Sequence, residues 1–144
     1  MRAYALLLIA LLSACSHSPK LPQQPHLRAA LPLTLHIERR QADQLEHWLL
    51  VIQEHEQALR WSLFNPLGSP LARQRLSQGQ WHAEGFLPPN AEARELFSAL
   101  VLALNEPAQL RPGWQIQYHA PLNLTLEHAD RHYRVTAMNM ENNQ

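Results

Sequence analysis

From Leu33 onward, hydrophobic and polar positions alternate along most of the chain. In LTLHIERR, Leu33, Leu35 and Ile37 fall on one side and Thr34, His36 and Glu38 on the other, the period of two of a half-buried strand. LEHWLLVIQE is apolar on both sides at its centre, with Trp48, Leu50 and Ile52 against Leu49 and Val51. That pattern predicts a central strand covered on both faces. QALRWSLF groups Leu59, Trp61 and Leu63 opposite Arg60 and Ser62, and the short EHEQ before it reads as a hairpin turn.

Asn65-Pro66-Leu67-Gly68 predicts a tight turn. Proline presets the first central position, glycine accepts positive φ, and the Asn65 side chain can cap the turn. LARQRLSQ leaves it as another strand. A Gly-Gln turn then leads into WHAEGF, where Trp81, Ala83 and Gly85 share a face. One segment changes period. In PPNAEARELFSALVLALNEP, residues Ala93, Leu96, Phe97, Leu100, Val101 and Leu104 form a wide stripe at helical spacing. Asn90 suits the N-cap, Glu92 and Glu95 suit the positive end of the dipole, and Pro107 stops the helix. Strands resume in GWQIQYH, LNLTLEHAD and HYRVTAMNM, with Ala129-Asp130 as a hairpin.

The predicted fold class is therefore mainly β (α+β): a curved antiparallel sheet of about eight strands with one main helix. One helix cannot cover such a sheet on both faces. The economical arrangement is an incomplete barrel with the helix across its concave face.

The first residues follow a different rule. Arg2 precedes an apolar run over residues 3–12 that is too short to span a bilayer and has the length of a signal-peptide core. Leu12-Ser13-Ala14-Cys15 follows, and it resembles the bacterial lipobox. The small residues let the strand enter a peptidase cleft, and the thiol receives a diacylglyceryl group. Cys15 is the single cysteine of the 144 residues, so no internal disulfide competes for it. Cleavage would make it the N-terminus and add an N-acyl chain. Two chains already anchor a protein stably. Ser16, rather than aspartate, follows the cysteine, which under the usual sorting rule points to the outer membrane.

Pro19, Pro22, Pro25 and Pro32 come next and favour an extended spacer. At ~3.1 Å per residue, fifteen such residues reach on the order of 45 Å. The expected organisation is residues 1–14 as signal peptide, 15–30 as lipidated cysteine and Pro-rich tether, and 31–140 as the half-barrel domain.

Composition narrows the chemistry. Hydrophobic residues make up 46%, charged residues 17%, and the formal net charge is zero. This is a globular chain without the basic footprint of nucleic-acid binding. Nine histidines raise the question of metal. His128 and His132 flank a hairpin rather than one helical face, and no HExxH or Cys/His cluster exists, so no metal site is expected. Glu54/Glu56 and Glu92/Glu95 have no partner at catalytic spacing. Ser62 and Ser98 lie outside any nucleophile elbow. The expectation is a protein that is not an enzyme and carries no cofactor beyond the diacylglycerol and N-acyl chain on Cys15.

The lipobox, LRWSLFNPLGSPLARQRL and PPNAEARELFSALVLAL together resemble an uncharacterised family of bacterial outer-membrane lipoproteins, often found in aryl polyene gene clusters. Asn65-Pro66-Leu67-Gly68 and Glu95-Leu96-Phe97 are the most specific matches. Many members carry aspartate where this chain has Asn65, and either residue caps the turn. The family is similar to the lipoprotein carriers LolA and LolB, incomplete barrels whose apolar interior takes acyl chains under helices. LolB also presents a protruding loop leucine, for which Leu67 is the nearest counterpart. The resemblance implies periplasmic localisation at the outer membrane and binding of a lipid or polyene acyl ligand. Trp48, Trp61, Trp81, Leu96, Phe97 and Leu100 would line the groove, unless these side chains simply fill a core. The alternative function is an assembly or scaffold lipoprotein with a packed core, whose partners are other envelope proteins.

Overall fold

A computed structural model describes residues 20–138. The expected signal segment 1–14, the expected lipidation site Cys15 and residues 16–19 and 139–144 lie outside the described residues. Eight strands form one antiparallel sheet: β1 (Leu33–Gln41), β2 (Gln44–His55), β3 (Ala58–Phe64), β4 (Pro70–Ser77), β5 (Gln80–Ala83), β6 (Trp114–Ala120), β7 (Asn123–His128) and β8 (Arg131–Ala137). A single helix among the described residues, α1 (Ala91–Leu104), joins β5 to β6. The spatial order is β5-β4-β3-β2-β1-β8-β7-β6. The sheet is therefore open, with β5 and β6 as its edges, and α1 crosses its concave face as the sequence pattern predicts.

Hairpin turns set most of the pairing. Asn65 behaves as its sequence context suggests: its Oδ1 accepts from the Leu67 and Ser69 amides at 3.0 and 2.9 Å, and Gly68 takes φ +81°. The contact between β1 and β8 is different, because it joins the two ends of the domain. Ile37 stands opposite Val135 and Arg39 opposite Tyr133. This long-range pairing makes one sheet out of two meanders.

Two local expectations change. Trp48, Leu50 and Ile52 are buried, but Leu49 and Val51 on the other face are only half-buried. The helix covers one face of the sheet, so β2 is central without being covered twice. Gly85 lies beyond the end of β5, in a turn with φ +75°, rather than on a face shared with Trp81.

The helix is more deeply enclosed than its stripe implies. Ten of its fourteen residues are buried, including every position from Leu96 to Leu104. Asn90 caps the start, its Oδ1 accepting from the Ala93 amide at 3.0 Å. At the other end, the last four carbonyls of a helix have no partner within it and need one where water is excluded. Here each has one. Val101 O accepts from the Asn105 amide, Leu102 O from the Gln109 amide, Ala103 O from the Tyr118 hydroxyl and Leu104 O from the Arg28 amide, at 2.8–3.0 Å.

Arg28 belongs to the segment expected as a free tether. Residues 20–32 contain no helix or strand, as their prolines dictate, yet they are docked. The His26 amide donates to Asn105 Oδ1 at 2.7 Å, and the Glu106 amide donates back to His26 O at 2.9 Å. Leu21, Leu27, Ala29 and Leu31 pack on the core. The spacer expected over 15–30 thus becomes, from Leu21 onward, a strap across the C-terminal end of α1.

Two outcomes follow from this packing. Leu100→Ala, at a fully buried helix position, should cost about 2–5 kcal/mol of stability, read as a lower urea midpoint at unchanged slope. Asn105→Ala should leave the fold intact but release the strap. Hydrogen exchange at the His26 and Arg28 amides should then accelerate together, while β2 and β3 amides keep their protection.

Candidate functional site

The six side chains expected to line a groove are mostly core. Trp61, Leu96, Phe97 and Leu100 are fully buried, Trp48 nearly so, and Trp81 half-buried. They do not form one wall. Trp61, Trp81 and Phe97 make a cluster with ring centres 5.5–5.8 Å apart, Trp61 and Trp81 meeting edge to face. Such pairs add ~0.5–1.5 kcal/mol beyond the burial of their surface. Trp48 lies in a separate group with Tyr133, 6.4 Å between ring centres, under the Arg39 guanidinium. None of the principal clefts is lined by Trp61, Leu96, Phe97 or Leu100. The helix and these rings occupy the concave interior themselves.

What opens to solvent is a cleft of about 520 Å³ at the β5 edge. Leu21 of the strap, Trp81, Pro89 and Ala91 provide its apolar lining, and Asn90, Arg94, Glu95, Ser98 and Arg111 its polar lining. Trp81 is positioned by donating its indole N–H to Ser98 Oγ at 2.9 Å, while Ser98 donates to Arg94 O at 2.8 Å. Arg94 donates to Gln74 Oε1 at 3.2 Å. Among the described residues, neither Arg94 nor Arg111 has a carboxylate ion-pair partner, so both present positive charge at the cleft. Of the expected groove residues, only Trp81 lines this cleft. Sequence periodicity gives no sign of the cleft, because β5, the turn before α1 and Leu21 of the strap meet only in three dimensions.

Glu92 and Glu95 have structural partners. Glu92 accepts from Arg39 through both oxygens, at 2.7 and 3.1 Å, and from the Tyr133 hydroxyl at 2.7 Å. Glu95 accepts from Arg131 at 3.0 Å. These contacts tie the first turns of α1 to β1 and β8. Burial works to raise the Glu92 carboxyl, but hydrogen bonds from Arg39 and Tyr133 and the nearby positive charges outweigh it and hold it below its ordinary value. Burial, then the bond to Glu92, pushes the Tyr133 hydroxyl well up.

The two histidines that flank the β7–β8 hairpin have local partners. His128 bonds Gly113 O at 3.0 Å and stacks on Trp114, with ring centres 4.6 Å apart. His132 pairs with Glu127 at 3.1 Å. The turn residues Asn65, Pro66 and Gly68 border a second cleft on the opposite, convex face, and Leu67 projects fully into solvent. Among the described residues, no helix is long and apolar enough to cross a membrane.

No protein-family model matches this chain, and no curated protein matches it.

The Glu92 cluster has a definite pH signature. A carboxyl whose folded pKa is lowered contributes stability that is present above the unfolded value and lost as pH falls through the folded one. A phenol whose folded pKa is raised contributes stability that is lost as pH rises above the unfolded value, about 10. The melting temperature should therefore drop below about pH 4 and again above about pH 10. Glu92→Gln should flatten the acid limb and Tyr133→Phe the alkaline limb, both read by thermal melts across pH.

Proposed function

We propose that this chain is a non-enzymatic lipoprotein of the outer membrane, anchored through acyl chains on Cys15, that holds an amphipathic lipid or polyene ligand in the cleft beside Trp81. The observation that carries the reading is the cleft itself. Its volume of about 520 Å³ falls in the range of small-molecule sites. It joins an indole and aliphatic side chains to two guanidinium groups, while the Glu95 carboxylate in the lining is paired with Arg131, which suits a ligand with an apolar chain and an anionic head. The filled interior moves the ligand from under the helix, where LolA and LolB receive acyl chains, to the edge of the sheet.

The strap supports the same reading. Leu21 lines the cleft and lies six residues after Cys15. An extended stretch of six residues spans at most about 20 Å. A lipidated Cys15 would therefore keep the cleft beside the bilayer surface, closer than a spacer of fifteen free residues.

The packed core also favours a second reading, a scaffold that acts on envelope proteins through its surface. Fluorescent polyene fatty acid, titrated into the chain starting at Ser16, separates the two. Binding is expected at micromolar concentration, with energy transfer from tryptophan, and should weaken at least tenfold in Trp81→Ala and in the cleft-filling Ala91→Trp. No uptake, together with no lipid co-purifying by mass spectrometry, would overturn ligand binding and leave the scaffold. For the anchor, Cys15→Ser in the full chain should abolish palmitate labelling and release the protein from membranes. Persistent labelling would overturn the lipobox assignment.

A further inference from the structure

The convex face of the sheet carries a cluster that the cleft does not use. His36 and Glu38 are two residues apart on β1, so both point away from the core side occupied by Leu35 and Ile37. In the antiparallel register, His47 of β2 stands directly opposite Glu38, and His36 is its diagonal neighbour. Diagonal positions are within reach of long side chains. His47 Nδ1 and His36 Nε2 lie 3.2 Å apart, and one ligand atom from each of His36, Glu38 and His47 falls within 4.8 Å of the others. His36 and Glu38 are half-buried and His47 is exposed, so the cluster is held by the sheet yet open to solvent.

We propose that His36, Glu38 and His47 form a binding site for a divalent transition metal of the zinc type. Two imidazoles and a carboxylate are a donor set for such ions, leaving a fourth position for water or an exogenous ligand. The nitrogen spacing agrees, although the two rings stack at 17° with centres 5.3 Å apart and have to turn for both lone pairs to face one ion. Nitrogens bound at ~2.05 Å to a tetrahedral ion are separated by about 3.3 Å, close to the spacing of the two imidazoles. The 4.8 Å spread of the set requires the carboxylate to close by roughly 1.5 Å, a side-chain rotation at a half-buried position. Arg134 of β8 stands beside Glu38 in the sheet, and among the described residues no ion pair joins them, so the carboxylate is not committed to it.

Both histidines also line the convex cleft, of about 510 Å³, with Leu49, Phe64 and Pro66. A metal there would border an apolar depression, where a ligand could contact it through the fourth position. This site is independent of the lipid reading, since it lies on the face of the sheet opposite α1.

Calorimetric titration of ZnCl2 into the full chain in detergent, in a non-coordinating buffer, tests the assignment. The wild type should show one site of micromolar or tighter affinity at pH 7.5. That site should weaken at least a hundredfold in the His36→Ala/His47→Ala double variant and at least fivefold in Glu38→Gln. Zinc should raise the melting temperature of the wild type and leave that of the double variant unchanged, and far-UV circular dichroism checks that each variant is folded. All three positions face away from the core, so folding should survive. An isotherm identical in wild type and double variant would assign zinc to other histidines and overturn the proposal. The absence of saturable binding below millimolar zinc would overturn it equally, leaving His36 and His47 as a hydrogen-bonded pair.

Discussion

A helix whose C-terminal carbonyls are buried must find donors for them, because each unpaired carbonyl away from water costs on the order of 1–3 kcal/mol. In this protein α1 is enclosed along its last nine residues, so water cannot supply them. The four donors come from three places: an amide of the N-terminal strap, the Asn105 and Gln109 amides after the helix and the Tyr118 hydroxyl of β6. The rest of the domain is arranged around that requirement. The strap has to cross the end of the helix to present Arg28, and β6 has to lie where Tyr118 reaches Ala103. At the other end, Glu92 ties the helix to the seam between β1 and β8 through Arg39 and Tyr133. Helix, seam and strap therefore stabilise one another, and loosening any of them exposes polar groups that the others had satisfied.

The same constraint decides where space is left. An open sheet with an enclosed helix has little interior space left, and the aromatic cluster of Trp61, Trp81 and Phe97 takes up what remains beside it. The open clefts are then found at the borders of the fold. One border is the β5 edge, where the strap, the helix start and Trp81 leave a cleft. The other is the convex face, which the single helix leaves uncovered and where half-buried Leu49 adjoins the imidazoles of His36 and His47. The two places differ in chemistry. The first combines guanidinium groups with an apolar lining, and the second combines nitrogen and carboxylate donors with an apolar depression.

The docked strap changes how the chain enters the domain. A free spacer would leave orientation undefined. A strap held by backbone bonds at His26, Arg28 and Glu106 fixes the point at which the chain leaves the domain, near the β4–β5 turn. Gly79 in that turn packs against the strap so closely that an added Cβ would stand 2.8 Å from the Leu21 carbonyl oxygen. Glycine there serves both the positive φ of the turn and the close passage of the strap.

Short-range physics made much of this legible in the sequence. The period of two in LTLHIERR, the Asn65-Pro66-Leu67-Gly68 turn, the Asn90 cap and the helical stripe each depend on neighbours a few residues away, and each stands in the structure as read. The open sheet with one helix followed from counting those elements. What the sequence did not reveal depends on contacts between distant segments: the β1–β8 seam, the docking of residues 21–31, the filling of the concave face and the meeting of His36, Glu38 and His47. Periodicity states which side chains share a face. It cannot state which strand lies alongside, or whether a proline-rich segment will find unpaired carbonyls to satisfy. Those outcomes were decided by the tertiary structure, because only there do the orphan groups of one element meet the donors of another.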